Sequence, residues 1–245
     1  MIVSLINHLL EHKLIYTIIS FIFGVNIGSF LNVCILRLPK KESIATVNSY
    51  CPKCGYILKW YDLVPILSYI FLKGKCRKCK SIISKQYPIV EFVTGMVWSI
   101  WFYSNFGVIN TWSWVLFLIV FNIFIVMSVV DILTYKVSDK AIVTVGILFL
   151  AITLIEKKSI IAIILGCVVI VLFFAILDRV FPNAIGGGDV KMLLALVIGY
   201  GFMGVQYILF MACATVIIRW LITKKNKFQF VPHLTLGALI YSLFL

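Results

Sequence analysis

Four of the seven cysteines lie in two closely spaced pairs, an arrangement typical of a metal site. The pairs are Cys51-Pro-Lys-Cys54 and Cys76-Arg-Lys-Cys79, and 21 residues separate them. Together they supply four thiolates, which can surround a zinc ion tetrahedrally at about 2.3 Å. Because four protein ligands close the coordination shell, the spacing predicts a structural zinc that folds a loop too small to have its own core. Two disulfides or four unused thiols are the alternatives.

Four of the nine acidic residues lie at the ends of predicted membrane spans: Asp131, Asp139, Asp178 and Asp189. A carboxylate at membrane depth is costly, so each of them needs a partner or a function. Asp139 begins a span, where a capping carboxylate is ordinary, and Asp178 can pair with the adjacent Arg179. Asp131 directly follows an uncharged run and Asp189 follows three glycines, so a purely local role explains these two less well.

Asp131 and Asp189 form the candidate catalytic pair. Two neighbouring carboxylates can share a proton, so that one activates a water while the other protonates or polarises a peptide carbonyl. Glycines beside the second aspartate would let another chain approach closely and would adopt conformations closed to other residues. The candidate substrate-positioning residues are Gly186, Gly187, Gly188 and Lys191. A transporter or channel whose carboxylates line a proton or cation path is the alternative.

Membrane-spanning helices are the elements that must position these residues. Of the 245 residues, 62% are hydrophobic, and the mean hydropathy is +1.10. Uncharged runs such as Leu14–Leu36, Trp112–Val130 and Ile160–Leu177 are long enough to cross a bilayer. The pattern predicts an all-α polytopic membrane protein with about eight transmembrane helices, near residues 14–36, 88–106, 112–130, 140–155, 160–178, 190–203, 204–222 and 229–245. Glycines at 199, 201 and 204 mark the break between the sixth and seventh spans.

The distribution of positive charge predicts the orientation. The loop 37–87 contains eleven Lys and Arg against Glu42 and Asp62, so we expect it in the cytoplasm, with both termini outside a cell membrane that the chain crosses repeatedly. This topology accounts for the net charge of +13 without nucleic acid as a partner. Within the loop, Trp60–Leu72 is apolar but too short to span, which suits an interfacial or packed element.

Three domains follow from this division of the chain. They are a first span (1–36), a four-cysteine cytoplasmic loop (37–87) stapled by zinc, and a helical bundle (88–245) that carries the aspartates.

Five segments, in this order, resemble the type IV prepilin peptidase family, also called prepilin leader peptidase/N-methyltransferase. They are Gly28-Ser29-Phe30-Leu31-Asn32-Val33 with Arg37-Leu38-Pro39; the two cysteine pairs; Ile83-Ser84 with Tyr87-Pro88-Ile89-Val90-Glu91; Asp131 with Asp139; and Gly186-Gly187-Gly188-Asp189-Val190-Lys191. Two places depart from the family pattern. Val137-Ser138 replaces an Ile-Pro, and Pro232-His233-Leu234-Thr235 replaces a Pro-Phe-Gly-Pro run.

The resemblance implies an intramembrane aspartic endopeptidase in which Asp131 and Asp189 are the catalytic pair. It implies as substrates the prepilins or pseudopilins of type IV pili and protein secretion, cut between a basic leader and an apolar helix. It also implies N-methylation of the new N-terminus with S-adenosylmethionine as cofactor, for which Glu91 and Gly95 are the candidate residues. Membrane lipid would be the other partner.

Overall fold

The computed structural model describes residues 2–45, 48–106, 111–181, 186–224 and 228–244, and these residues are helical wherever they form long elements. The described chain divides into two compact units, 1–108 and 109–245. The first contains α1 (Ile2–Arg37), α2 (Leu67–Phe71) and α3 (Gln86–Ser104). The second contains α4 (Thr111–Thr134), α5 (Asp139–Ile155), α6 (Ile160–Val180), α7 (Gly187–Thr223) and α8 (Val231–Phe244).

Small residues allow α1 and α3 to pack closely in the first unit. A Cβ at Gly24 would lie 2.9 Å from the Cα of Gly95, and a Cβ at Gly28 would lie 2.7 Å from the Cα of Glu91. Only glycine permits two backbones to approach so closely. Such glycine contacts are common between paired membrane helices. Residues 88–104 therefore pack with the first helix, whereas the sequence-based division grouped them with the aspartate bundle.

The two cysteine pairs fold as similar short loops between α1 and α3. Each pair lies between two residues that form an isolated antiparallel β-bridge, Tyr50 with Ile57 and Lys75 with Ile82. Gly55 follows the first pair with φ +67°, a left-handed conformation that costs glycine little. Backbone contacts therefore close both loops independently of any metal ion.

In the second unit, α7 packs against α5, α6 and α8, and α4 packs against α5 and α8. Aromatic rings fill the centre, and Phe149 is fully buried against Phe124 and Tyr200. A Cβ at Gly199 would collide with the ring of Phe149, so glycine is required for this contact.

The predicted break in the long apolar segment is present within α7, at Gly201 (φ 72°, ψ 173°). It divides the helix into two limbs, 187–200 and 202–223. Asp189 in the first limb lines a cavity with Phe230. Arg219 Nη1 in the second limb lies 3.5 Å from Nε2 of His233, which is three residues after Phe230 in the sequence. A straight helix would separate residues 189 and 219 by about 45 Å, so the chain reverses direction at Gly201.

Side chains from the last turn of α5 and from the α5–α6 connection satisfy the carbonyls at this break. The last carbonyls of a helix have no partner within it. Thr153 Oγ1 donates to the carbonyl of Ile198 at 2.7 Å, and Lys158 Nζ donates to that of Gly199 at 2.9 Å. A lysine at a helix C-terminus also interacts favourably with the helix dipole. These two bonds hold the end of the first limb in place.

Among the described residues, four helices are long and apolar enough to cross a membrane, and they include the stretches His12–Lys40, Trp112–Thr134, Ile160–Val180 and Gly187–Thr223. The count of about eight crossings stays a prediction. With the two limbs of α7 taken separately, the described residues form eight long helical pieces.

Candidate active site and metal site

The four predicted ligands form a compact cluster in the first unit. The sulfurs of Cys51, Cys54, Cys76 and Cys79 all lie within 4.8 Å of one another. Across the two pairs, Cys51 Sγ is 3.9 Å from Cys79 Sγ, and Cys54 Sγ is 4.0 Å from Cys76 Sγ. A tetrahedral zinc with bonds of about 2.3 Å would place its sulfurs about 3.8 Å apart. The cysteines therefore fit one ion of this kind, and they form no disulfide among the described residues.

The thiols of this cluster have unequal acidity. The hydroxyl of Ser81, 3.1 Å from Cys79 Sγ, is the main cause that lowers the pKa of Cys79 to about 6. The backbone N–H of Tyr56 favours the thiolate of Cys54, but burial and the neighbouring thiols outweigh it and raise the pKa of Cys54 to about 11. A second negative charge in so small a cluster is thus disfavoured unless a cation neutralises it.

An ion pair joins the segment between the two cysteine pairs to the second cysteine pair. Arg77 Nε donates to Asp62 Oδ1 at 2.7 Å, and the Asp62 side chain is almost fully buried while that of Arg77 is half exposed. Tyr56 Oη and the N–H of Lys59 donate to the other oxygen at 3.2 Å. Burial tends to raise the pKa of Asp62, but the Arg77 hydrogen bond and these donors together hold it below its usual value.

In the second unit, Asp131 and Asp189 line the same cavity. The volume of this cavity is about 410 Å³. Asp131 is buried in the last turns of α4, and Asp189 is half-buried in the first turn of α7. The two carboxylates are close enough to interact electrostatically. The remaining lining residues are Tyr135, Lys136, Val137, Asp139, Gly186, Gly188, Phe228, Gln229 and Phe230.

The start of α8 holds the end of α4 that carries Asp131. The N–H of Val231 donates to the Asp131 carboxylate, and Gln229 Nε2 donates to the carbonyl of Ile132 at 3.4 Å. One helical turn away, the hydroxyls of Ser128 and Thr235 are 2.8 Å apart. These contacts fasten the end of α4 to the start of α8 and direct a backbone donor at the buried carboxylate.

The sequence interpretation missed residues 228–230, which form one side of the cavity. No periodicity or charge pattern singles them out. Their contact with Asp131 and Asp189 joins positions about 40 to 100 residues apart in the sequence, which a single chain does not reveal.

The three glycines before Asp189 differ from one another. Gly186 precedes α7 with φ −69° and ψ 132°, and a Cβ there would lie 3.3 Å from Asp189 Oδ2. Gly187 has nothing within 4 Å of its Cβ position, and that of Gly188 is 3.9 Å from Val137. None of the three has a positive φ. The expectation that they adopt conformations closed to other residues is therefore wrong, and the need for glycine at 186 is steric.

Lys191 lies beside the cavity and pairs with Asp139 from α5. Its Nζ is 2.7 Å from Asp139 Oδ1, and both side chains are more than half exposed. Asp139 is the first residue of α5, and Ser138 occupies the capping position without a side-chain hydrogen bond, so the predicted capping role of Asp139 is not observed. The Asp139–Lys191 pair links the starts of α5 and α7.

Glu91 and Gly95, the candidate methyl-transfer residues, have structural contacts in the first unit. Buried Glu91 accepts a hydrogen bond from the N–H of Ile66 at 2.7 Å and another from the Ser29 side chain. A Cβ at Gly95 would lie 2.6 Å from Val25 and 2.9 Å from Phe21. The described residues thus leave no open space for a cofactor directly at these two positions.

Two family models match the chain, one in each unit. That of the bacterial peptidase A24 N-terminal domain matches residues 22–105, and that of the type IV leader peptidase family matches residues 116–221. The first match includes the cysteine cluster, and the second includes Asp131 and Asp189.

Similar curated proteins carry the name prepilin leader peptidase/N-methyltransferase. The one from Vibrio cholerae is 31% identical over 243 residues, which cover 92% of this chain and 93% of that protein. The one from Bacillus subtilis is 28% identical over 235 residues, with coverage of 92% and 93%. The one from Myxococcus xanthus is 43% identical over 83 residues, which are 34% of this chain and 25% of that protein. No solved structure matches the chain.

Proposed function

The chain belongs to the prepilin leader peptidase/N-methyltransferase family, and we propose that it is an aspartic endopeptidase acting at the cytoplasmic face of the cell membrane. Its substrates would be prepilin-like proteins, from which it removes the basic leader. The observation that carries this proposal is the cavity that Asp131 and Asp189 line together although they are 58 positions apart in the sequence.

In the proposed reaction, the two carboxylates hold one proton between them. The ionised one takes a proton from a water, whose oxygen attacks the scissile carbonyl, while the protonated one donates to the carbonyl oxygen. The tetrahedral intermediate then collapses as the leaving nitrogen receives a proton, and the peptide bond breaks into a carboxylate and an amine. The fixed donor on Asp131 favours a constant orientation of that carboxylate, which such proton transfers require.

The cavity walls suit an extended peptide. Gly186 and Gly188 leave room beside Asp189, and Phe228 and Phe230 offer apolar surface opposite. We propose that the apolar helix of the substrate docks beside α4 and the first limb of α7, so that its preceding residues extend across the cavity. The cysteine loop has eleven positive and two acidic residues, and it would repel a basic leader, so the leader would lie against anionic headgroups.

We assign zinc to the cysteine cluster, in a structural role. Cys51, Cys54, Cys76 and Cys79 would hold it, and the ion would neutralise the thiolates and fix the two loops to each other. The Asp62 carboxylate braces the same two loops, because it accepts from Tyr56 in the first and from Arg77 in the second.

The methyl-transfer activity is proposed from the names of the relatives. It would move a methyl group from S-adenosylmethionine to the new N-terminal amine of the substrate. Glu91 and Gly95 fit this cofactor poorly, because Glu91 accepts from Ile66 and Gly95 is covered by α1. We therefore derive no step of methyl transfer from them. If Glu91 acts only on the loop, Glu91→Gln should lower cleavage and methylation together.

A transporter with a carboxylate path is the rival reading, and the position of the acids argues against it. Carboxylates of transporters usually lie near the membrane midplane on discontinuous helices. Asp131 lies in the last turns of α4 and Asp189 in the first turn of α7, whereas the break in α7 lies at Gly201, about 18 Å away along the helix.

The test is to incubate the purified chain in liposomes with a substrate that carries a basic leader and an apolar helix. Mass spectrometry should find a single cut between the leader and the helix, and a product 14 mass units heavier when S-adenosylmethionine is present. An intact substrate, together with proton or cation flux across the liposome membrane, would favour the transporter instead.

A further inference from the structure

An exposed apolar surface lies on the segment between the two cysteine pairs. Trp60 and Phe71 are 79% and 80% exposed, and the side chains of Leu63, Leu67 and Ile70 between them are also exposed. Five large apolar side chains exposed within twelve residues would be unfavourable in water, and such patches mark contact surfaces. The surface is defined here as the apolar rim, residues 60–71.

A hydrogen bond fixes the level of the apolar rim relative to the helices of its unit. The N–H of Ile66, directly before α2, donates to Glu91 Oε2 at 2.7 Å. Glu91 is the sixth residue of α3, about 7.5 Å along the helix from its first residue. Its Cα packs against Gly28, which is nine residues before the end of α1. The rim is therefore tied to the first turns of α3, beside the last third of α1, a helix that is long and apolar enough to span.

The backbone at this tie is strained. Ile66 has φ +60° and ψ −53°, a conformation that is rare for a β-branched residue. Such strain persists only where the surroundings impose it. The buried Glu91 carboxylate is the partner that the structure provides for the N–H of Ile66.

The charge around the rim identifies the kind of surface that would cover it. Lys59 precedes the rim, and Lys73 and Lys75 follow it; all three are exposed. A short apolar element with lysines at both ends and a tryptophan at its edge is typical of the headgroup layer of a bilayer, where such elements lie about 5–10 Å deep. Basic residues at this depth attract anionic lipids.

We propose that the apolar rim inserts into the headgroup layer of an anionic bilayer and anchors the cysteine loop against the membrane. The two cysteine pairs would then be held at a constant height above the lipid. This inference does not depend on the proposed peptidase activity.

The test uses the intrinsic fluorescence of Trp60 in the full chain, in liposomes that contain phosphatidylglycerol. The signal of Trp60 is the difference between the wild type and Trp60→Phe. We expect it to be blue-shifted, and to be quenched at least twofold by lipids brominated near the glycerol, more strongly than by lipids brominated deep in the chain. A difference spectrum at the wavelength of aqueous tryptophan, unaffected by bromine, would overturn the proposal.

Two matched variants test whether the rim carries the contact. Phe71→Ser should increase the quenching of Trp60 by aqueous acrylamide, whereas Ile82→Ser should not, although Ile82 is 85% exposed in the same loop. Equal responses would contradict the assignment to residues 60–71. Trp60 could instead be exposed to water in liposomes without substrate. If it then becomes shielded only when substrate is added, the partner of the rim is the substrate; if it becomes shielded only at high protein density, the partner is a second copy of the chain. In either case the bilayer proposal fails.

Discussion

Replacing Gly186 by alanine adds one methyl group directly beside the carboxylate of Asp189. The new Cβ would lie 3.3 Å from Asp189 Oδ2, so the carboxylate must move by a few tenths of an ångström. The backbone at 186, with φ −69° and ψ 132°, accepts alanine without strain. Any effect on cleavage would therefore come from the displaced carboxylate.

The expected loss follows from the size of this displacement. A misplacement of about 1 Å in an active site can cost about 100-fold in rate. A shift of a few tenths of an ångström should then reduce kcat/KM about tenfold, which is ~1.4 kcal/mol of transition-state stabilisation. The helix itself should change little, because residue 186 contributes to it only the carbonyl that accepts from the N–H groups of Asp189 and Val190, and alanine keeps this carbonyl.

Gly187→Ala is the matched control, because nothing lies within 4 Å of its Cβ position and residue 187 is not among the lining residues. Both variants would be reconstituted in liposomes, and initial cleavage rates would be measured at several substrate concentrations, with thermal unfolding as a check on folding. We expect wild-type rates from Gly187→Ala and a selective loss in Gly186→Ala. Equal rates for the two variants would refute the inference that displacing the Asp189 carboxylate slows cleavage.

Three further predictions concern the metal, its brace and the substrate. Purified protein should contain about one zinc per chain. The variants Cys51→Ser and Cys76→Ser should each lose the zinc, and residues 40–85 should then become sensitive to protease. Wild-type protein that is prepared without chelators and contains no metal would contradict this prediction. Asp62→Asn should accelerate zinc release to a chelator several-fold because Asp62 is buried, whereas Asp139→Asn, which removes an exposed ion pair in the other unit, should not. Moving the start of the substrate's apolar helix by one turn, about 5.4 Å, should slow cleavage more than neutralising one leader lysine, and equal rates for shifted and parent substrates would exclude positioning by depth.

Hydropathy was sufficient to predict most of the helices, because an uncharged run of membrane length has no favourable alternative to a helix. The run Trp112–Val130 lies within α4, and Ile160–Leu177 lies within α6. The break at Gly201 was also predictable, since closely spaced glycines mark where a helix can break. The partners of the broken end, Thr153 and Lys158, were not predictable, because they lie 45 and 41 positions away in the sequence from the carbonyls that they bind.

The candidate site divides in the same way. The spacing of the two cysteine pairs was sufficient to predict the cluster of Cys51 with its three partners, because two C-x-x-C pairs have few other uses. The aspartates were found because carboxylates are rare at the ends of apolar runs. The wall formed by residues 228–230 and the bond from Ile66 to Glu91 depend on contacts between distant segments. No local pattern in the sequence encodes such contacts.

The central claim is that Asp131 and Asp189 together hydrolyse the peptide bond, and single substitutions test it most directly. Asp131→Asn and Asp189→Asn, purified and reconstituted with an unchanged zinc content, should each cut no prepilin-like substrate above background. Asp178→Asn, which replaces an aspartate that does not line the cavity, should cleave at the wild-type rate. Substantial cleavage by either the Asp131 or the Asp189 variant would contradict the assignment of the catalytic pair.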